Sequence, residues 1–230
     1  MHIVTLASMR TALIAALLCA ASLFLRYACA QQGDAVTNQL TVLRAKAEQG
    51  EAHSQCELGL AFYSGQFGAA ANDVEAVKWF RKAAEQNDPA AQSNLGVCYA
   101  NGQGVEKDDA EAVKFYREAA ERNNAPAQYN LGNTYFRGQG VETDEVEGAK
   151  WLRKAAEQNF ADAQYKFALC LEFGRGLPKD DVEACRWYLL ASGHGVSQAK
   201  RNLAMLELRL SREEVAEGRR RAHDWLERQK

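Results

Sequence analysis

The chain lacks the local sequence features on which most cofactor and metal sites depend. It contains no Gly-x-Gly-x-x-Gly and no Gly-Lys-Ser/Thr, so no dinucleotide-binding or phosphate-binding loop is expected. It also contains no Cys-x-x-Cys, which argues against the common zinc sites. We therefore predict a protein without a cofactor and without a metal.

Positive charge is not in excess either. The 28 Lys and Arg face 30 Asp and Glu, a net charge of −2, and removal of residues 1–30 would leave 26 against 30. A basic surface favours nucleic-acid binding, so we predict no nucleic-acid partner. The basic cluster Arg219–Arg221 is accompanied by acids on the same predicted helix: Glu213, Glu214, Glu217 and Glu227. Such a pattern is typical of a solvated, salt-bridged face.

No apolar run is long enough for an ordinary membrane span. The run Thr11–Leu25 is shorter than the roughly 20 apolar residues that a spanning helix needs. Arg10 before the run and the A-x-A site Ala28–Ala30 after it are typical of a cleaved secretion signal. We predict a signal peptide over residues 1–30, a mature chain that begins at Gln31 without a membrane span, and a secreted or periplasmic location.

A membrane anchor and lipidation of Cys29 are the alternatives for this segment. Arg26 and Tyr27 occupy positions where a bacterial lipoprotein signal requires Leu and a small residue. Cleavage without lipidation is therefore the interpretation that the residues favour.

What the chain does contain is an internal repeat with a period of 36 residues. The block Ala91–Tyr99 recurs at Ala127–Tyr135 and, in weaker form, at Ala163–Leu171. Each copy is followed by Gly-x-Gly and then by a Trp/Phe-x-Arg-x-Ala-Ala block, or a close variant of it. A fixed period of this length is typical of a solenoid, in which each unit buries its apolar face against its neighbours. We therefore predict an all-α chain with two helices in each unit.

The second helix of each unit carries its own start and stop signals. An Asn or Asp with a Glu three residues later predicts a capping box at Asn72/Glu75, Asp108/Glu111, Asp144/Glu147 and Asp180/Glu183, and Ser211/Glu214 predicts another before the last helix. Asn87, Asn123, Asn159 and Gly195 follow these helices at one register, and Gly50 precedes them. Asn and Gly are the residues that best tolerate the left-handed conformation after a helix.

A glycine lies in the middle of the first helix of three units: Gly59, Gly96 and Gly132. Gly in a helix interior costs about 1 kcal/mol relative to Ala, so close packing is the natural reason for it. We expect the Trp or Phe of the partner helix to approach each glycine, with Trp151 opposite Gly132.

Four cysteines follow the predicted signal: Cys56, Cys98, Cys170 and Cys185. Cys170 and Cys185 lie on the two helices of one unit, and both a disulfide and a pair of buried free thiols are compatible with this placement. Cys56 and Cys98 do not occupy equivalent positions, so no bond between them is expected.

The repeated blocks resemble a known family. Leu-Gly-x-x-Tyr, Gly-x-Gly-Val-x-x-Asp and Ala-x-x-Trp-x-Arg-Lys-Ala-Ala are similar to the Sel1-like repeat, a relative of the tetratricopeptide repeat, over roughly residues 38–210. The resemblance implies a right-handed superhelical solenoid of antiparallel helix pairs. It also implies adaptor roles in protein complexes, envelope biology or signalling, and it brings no catalytic residues.

The expected organisation follows from the resemblance and the signal. Residues 1–30 form the signal peptide, 31–37 a short linker, 38–50 an N-terminal capping helix, 51–195 four repeats, and 196–230 a last repeat-type helix with an amphipathic capping helix. The terminal units of solenoids are expected to depart from the repeat in this way.

One enzymatic alternative is left open, because some secreted relatives have been described as penicillin-binding or β-lactamase-like. Such a cell-wall hydrolase needs Ser-x-x-Lys together with Ser-Asp-Asn and Lys-Thr-Gly. Ser197 and Lys200 form the mature chain's one Ser-x-x-Lys, and both supporting motifs are absent. We interpret this segment as an ordinary helix start and predict that the chain is not an enzyme.

A binding surface is predicted on the first helices, which face the concave side of such a superhelix. The positions opposite the packing residues Ala91, Leu95 and Tyr99 define what we call the recognition stripe: Ser93, Asn94, Tyr129, Asn130, Asn133, Tyr165 and Lys166. Aromatic and amide side chains suit an extended peptide, so we predict a non-catalytic adaptor or scaffold with a protein or peptide partner. Mutual packing of Tyr129 and Tyr165 between units is the alternative for these two rings.

Overall fold

The computed structural model describes residues 39–229, and the predicted signal and linker lie outside them. Within this range the chain forms eleven α-helices and no strand. Helix α1 covers residues 39–48, and the others are α2 (Ala52–Ser64), α3 (Asp73–Glu85), α4 (Pro89–Asn101), α5 (Asp109–Glu121), α6 (Ala125–Arg137), α7 (Glu145–Glu157), α8 (Ala161–Phe173), α9 (Asp181–Gly193), α10 (Ser197–Glu207) and α11 (Arg212–Glu227). The all-α prediction is confirmed.

The helices alternate between two roles. We call α2, α4, α6, α8 and α10 the A helices, and α1, α3, α5, α7 and α9 the B helices. In the first complete pair, the backbone N–H of Asn72 donates to the carbonyl of Phe62 (2.8 Å), while at the opposite end Gln86 Nε2 donates to Gln55 Oε1 (2.8 Å). The end of one helix thus lies beside the start of the other, so the pair is antiparallel. From α4 to α10, each A helix also packs on the B helix before it, which joins each unit to the next.

The predicted N-caps of the B helices are confirmed, but the reciprocal half of the capping box is wrong there. The side chains of Asn72, Asp108, Asp144 and Asp180 accept the backbone N–H of the residue three positions on. The N–H of Asp144 already donates to the carbonyl of Tyr135 (3.1 Å), so it does not need a glutamate. Glu147 instead pairs with Lys150, one turn further along the helix (2.6 Å).

The B helices end as predicted. Asn87, Asn123 and Asn159 have φ values of 63°, 64° and 66°, and Gly50 and Gly195 are also left-handed. A glutamine that the pattern did not explain lies five residues beyond Gly50 and beyond each of the three Asn turns. Gln128 Nε2 donates to the carbonyl of Ala120 (3.0 Å) and Gln55 Nε2 donates to that of Ala47 (3.0 Å). Each of these carbonyls also accepts the backbone N–H of the turn residue, so the buried amide adds a second donor at the B-helix end.

The glycines inside the A helices allow close packing, as predicted, and a Phe does face Gly59, but the residues that face Gly96 and Gly132 are neither Trp nor Phe. A Cβ at Gly59, Gly96 or Gly132 would lie 2.6, 2.5 or 2.9 Å from the side chain of Phe80, Tyr116 or Leu152. The expectation that Trp151 faces Gly132 is wrong. One residue rotates a helix by about 100°, and Trp151 therefore packs on a cluster whose buried residues come from α5 and α6, with the Lys154 ammonium 3.9 Å from its ring centroid.

The second glycine of each Gly-x-Gly contacts the preceding unit. A Cβ at Gly104, Gly140 or Gly176 would lie 2.2, 2.1 or 1.9 Å from the carbonyl oxygen of Asp73, Asp109 or Glu145. These three acids are first residues of B helices, so each loop lies against the helix start of the unit before it. We call these contacts the loop joints.

The C-terminal end is covered by α11, which packs on α9. Its start has the complete capping box that Ser211 and Glu214 predict. Gly218 lets α11 come close, because a Cβ there would be 2.9 Å from the Sγ atom of Cys185.

The four cysteines of the described region are buried free thiols, which was one of the two interpretations of Cys170 and Cys185. Burial raises the pKa of Cys56 and Cys170 to about 12 and that of Cys98 and Cys185 to about 11. They therefore stay protonated at neutral pH, and a thiol is a poor nucleophile and a poor metal ligand.

Candidate partner-binding face

The A helices form one side of the solenoid, which we call the A-helix face, and furrows separate one A helix from the next. The first furrow lies between α4 and α6 and holds a cavity of about 310 Å³. Val97 and Asn101 line it from α4, and Tyr129 and Asn130 line it from α6. Its floor is the B helix α5, which contributes Tyr116. We call it the α4–α6 furrow.

A second furrow of about 170 Å³ lies between α6 and α8. Phe136, Leu152 and Leu169 form its apolar walls. Asn133 and Arg137 line both cavities, so this α6–α8 furrow adjoins the first one along α6. Together the two adjoining furrows span three A helices.

The structure brings four of the seven recognition-stripe residues together in these furrows. Tyr129, Asn130 and Asn133 line the α4–α6 furrow, while Asn133 and Lys166 line the next. The remaining three residues are placed elsewhere. Ser93 is buried, Asn94 is half-buried with its Nδ2 3.9 Å from Cys56 Sγ, and Tyr165 lies outside both cavities.

The two tyrosine rings of the stripe have packing contacts of their own. Tyr129 packs on Phe160 with ring centroids 5.4 Å apart, and Phe160 begins the next unit's A helix. Tyr165 packs on Tyr188 with centroids 6.0 Å apart. Both rings therefore contribute to the core, and Tyr129 does so while lining a furrow.

Asn130 differs from the other amides of the stripe. Asn133 Nδ2 donates to the carbonyl of Tyr129 in its own helix (3.0 Å). Asn130 is half-buried and lines the α4–α6 furrow. Its side-chain amide has no hydrogen-bond partner among residues 39–229. A side-chain amide has both donors and an acceptor. Asn130 can therefore pair with the main chain of a bound segment.

The recognition stripe, which was predicted from helical spacing, does not include two cations that line the furrows. Arg137 lies one turn beyond Asn133 at the end of α6, so extending the pattern by four residues would have included it. Arg175 lies in the loop after α8, where no helical pattern applies, and it lines the α6–α8 furrow. Its guanidinium carbon is 4.8 Å from the centroid of Phe136.

A metal site, a membrane span or an activated serine in the described range, residues 39–229, would indicate another function. No group of three or more His, Cys, Asp and Glu side chains there could hold a metal ion, and no helix there is long and apolar enough to cross a membrane. Ser197 and Lys200 lie in the first turn of α10, are exposed, and share no hydrogen bond. The serine therefore has no base beside it.

Comparison with known proteins identifies the Sel1 repeat. The Sel1 repeat matches four consecutive segments, residues 52–88, 89–124, 125–160 and 161–196. The chain is similar to the solved structure of c5321, a protective antigen of uropathogenic Escherichia coli strains with an SLR fold, at 34% identity and a TM-score of 0.76 over 82% of this chain and 40% of that one. It is also similar to a Sel1 repeat protein from Oxalobacter formigenes, at 32% identity and a TM-score of 0.70 over 83% of this chain and 75% of that one.

A curated relative matches over a shorter stretch. HRD3A of Arabidopsis thaliana, a component of an ERAD-associated E3 ubiquitin-protein ligase, is 33% identical over 63 residues, which are 27% of this chain and 9% of HRD3A. The chain therefore spans less than half of the E. coli antigen and about a tenth of the plant protein.

Proposed function

Because the chain belongs to the Sel1 repeat family, we propose that it is a non-catalytic adaptor that holds an extended segment of a partner protein in the furrows of its A-helix face. The observation that carries this proposal is the pair of adjoining furrows, which share Asn133 and Arg137. HRD3A, whose sequence is similar over 63 residues, is itself described as a component of a multiprotein enzyme, which supports a protein partner.

The chemistry of the furrows suits a peptide better than a small molecule. The adjoining furrows span successive repeats and are open along their length, whereas small-molecule sites enclose most of their ligand. Asn130 has a side-chain amide without an intramolecular partner. Part of the Tyr129 ring lines the same furrow and can contact a side chain of the segment. Extended segments need main-chain hydrogen bonds together with pockets for side chains, and this combination supplies both.

We expect Asn130→Ala to weaken partner binding by a factor of ten or more and to leave the melting temperature within about 1 °C. Anchor residues commonly contribute about 2 kcal/mol or more to binding, and Asn130 has no hydrogen bond within the fold to lose. The partner is first captured in cells that express the chain, with a photo-crosslinking amino acid at position 130. Its affinity for the purified parent and variant is then measured by titration calorimetry.

The matched control places the same crosslinker at position 114 on the B helix α5. Lys114 is exposed and paired with Glu111 (3.1 Å), so this site reports on the opposite side of a unit. A protein captured from position 114 and not from position 130 would overturn the proposal. Tyr129→Ala is a poorer probe than Asn130→Ala, because loss of its contact with Phe160 changes stability as well as binding.

The proposed place of action is outside the cytoplasm, in the periplasm or the extracellular space. Arg10, the apolar run Thr11–Leu25 and the A-x-A site Ala28–Ala30 support it. Mass spectrometry of the protein expressed with its full N-terminus should find a chain that begins at Gln31 in the exported fraction. Retention of the residues before Gln31, or a diacylated Cys29, would show the proposal to be wrong.

A further inference from the structure

The α6–α8 furrow is lined by three cations and by no carboxylate. Arg137 and Lys166 come from its two A helices, and Arg175 comes from the loop after α8. The chain as a whole has more acidic than basic residues, so this concentration of positive charge is local.

Two of the three cations have no partner within the fold. Arg175 pairs with Glu145, with Nη2 and Oε1 2.6 Å apart, and is partly neutralised. Arg137 and Lys166 make neither an ion pair nor a hydrogen bond in the part of the chain that the structure describes. The lysines at the outer surface of the B helices behave differently, since Lys78, Lys114 and Lys150 each pair with a glutamate one turn away.

The repeat itself shows that the fold does not need these charges. The positions equivalent to Arg137 in the other units are Ser64, Asn101, Phe173 and Arg209, and those equivalent to Lys166 are Glu57, Asn94, Asn130 and Asn202. Every unit builds the same helix pair with different residues there. Arg209 is also the one other cation among these positions, and it is paired with Glu172. The unpaired charges therefore belong to this furrow and not to the repeat.

The surface next to the furrow is apolar. Phe173 lies one turn beyond Leu169 on α8 and is 61% exposed, and Met205, at the equivalent position to Leu169 on α10, is 64% exposed. These two side chains offer a bound segment apolar area beyond the cations of the furrow.

We propose that the α6–α8 furrow receives the carboxylate of an Asp or Glu side chain from an extended partner segment, and that a neighbouring apolar side chain of that segment packs on Phe173 and Met205. This proposal rests on the proposed function of the A-helix face. Arg137 and Lys166 supply charge-assisted hydrogen bonds to the carboxylate, and Asn133 adds an amide beside them. The furrow adjoins the α4–α6 furrow on one side and the apolar surface on the other. The segment therefore passes through, and the carboxylate belongs to a side chain and not to a chain terminus.

The test uses an array of decapeptides that are acetylated at the N-terminus and amidated at the C-terminus, with one fixed residue at each position in turn and random residues elsewhere. Purified protein should bind best to peptides that carry Asp or Glu next to Leu, Phe or Met. For the best such peptide, replacement of its acid by Gln should weaken binding at least tenfold. Arg137→Gln combined with Lys166→Gln should weaken it equally, and 0.5 M NaCl should reduce the affinity of the parent.

Two further variants complete the design. Arg137→Lys keeps the charge and should retain most of the affinity, whereas Lys78→Gln with Lys150→Gln removes two outward charges and should change nothing. Neither Arg137 nor Lys166 makes a contact that the fold requires. The melting temperature of the double variant should therefore equal that of the parent.

The outcomes separate this proposal from the one on which it rests. In one outcome, the array peptides bind and lose affinity with Asn130→Ala, but they show no preference for acids and no sensitivity to Arg137→Gln with Lys166→Gln. The acidic-segment proposal is then wrong, and the proposed binding face stands. If no bound peptide is sensitive to Asn130→Ala or to the furrow variants, both are wrong. A preference that appears only with free C-terminal carboxylates would also overturn the side-chain assignment.

Discussion

Gly140→Ala should lower the free energy of unfolding by about 3 kcal/mol or more. The backbone of Gly140 has φ = +71°, and an added Cβ would lie 2.1 Å from the carbonyl oxygen of Asp109 and 2.8 Å from the backbone nitrogen of Ala110. A left-handed conformation costs a residue with a side chain about 1–2 kcal/mol, and overpacking adds about 1–3 kcal/mol. The atoms in the way are backbone atoms at the start of α5, so no rotamer change can relieve the contact. Urea unfolding followed by circular dichroism measures the loss.

Gly174→Ala is the matched control for this prediction. Gly174 has φ = +66°, but the nearest atom to an added Cβ is 3.6 Å away, an ordinary van der Waals distance. Only the conformational cost of about 1–2 kcal/mol is expected there. Equal losses at the two positions would mean that the loop joint between units contributes nothing beyond backbone conformation.

Gly132→Leu should destabilise the array by about 3 kcal/mol, at the upper end of the range for overpacking. The first added carbon would already lie 2.9 Å from Leu152 Cγ and 3.0 Å from the carbonyl oxygen of Gly148. The other three carbons of the leucine would have to separate α6 from α7. The expected result is a lower urea midpoint for the whole chain, because each unit depends on its neighbours for burial.

Gly193→Leu provides the comparison, since Gly193 lies at the end of α9 and an added Cβ would meet nothing within 4 Å. Both substitutions gain helix propensity, and the gain is larger in the interior of α6 than at the end of α9, so a greater loss at Gly132 reports on the packing. Adding Leu152→Ala to Gly132→Leu should recover part of the loss, because residues in contact commonly couple by about 0.5–3 kcal/mol. An unchanged urea midpoint in Gly132→Leu would contradict the close contact.

The helix boundaries were predictable because their signals are local. The side chain of Asp144 reaches the N–H of Glu147 within one turn, and Asn123 adopts its left-handed conformation whatever lies across the solenoid. The second half of the capping box failed for a non-local reason. The N–H of Asp144 is taken by the carbonyl of Tyr135 in the preceding helix, and that distance depends on how the whole pair packs.

The residue opposite Gly132 could not be predicted to within one position. Trp151 and Leu152 are neighbours on α7, both apolar, and about 100° of helix rotation decides which of them faces α6. The rotation is set by contacts with other helices, since Trp151 packs on a cluster whose buried residues come from α5 and α6. A pattern read along α7 contains no information about those contacts.

The candidate site was predicted in part for the same reason. Spacing along α6 identified Tyr129, Asn130 and Asn133, because residues on one side of a helix follow a simple period. The furrows, however, lie between units, and their width depends on inter-unit contacts such as the loop joints. Arg175 approaches the α6–α8 furrow from a loop, and no periodic argument places a loop side chain.

The loop joints make the array extensible by duplication of its own coding sequence. A copied block of 36 residues brings with it a glycine that fits the B-helix start of the block before it. It also brings a B-helix start that fits the glycine of the block after it, as Gly140 fits Asp109 and Gly176 fits Glu145. A duplicate inserted in register therefore meets compatible surfaces at both ends without any compensating substitution. A change of length between the glycine and the B-helix start would move the glycine out of the joint, whereas duplication or loss of a whole unit leaves every joint intact.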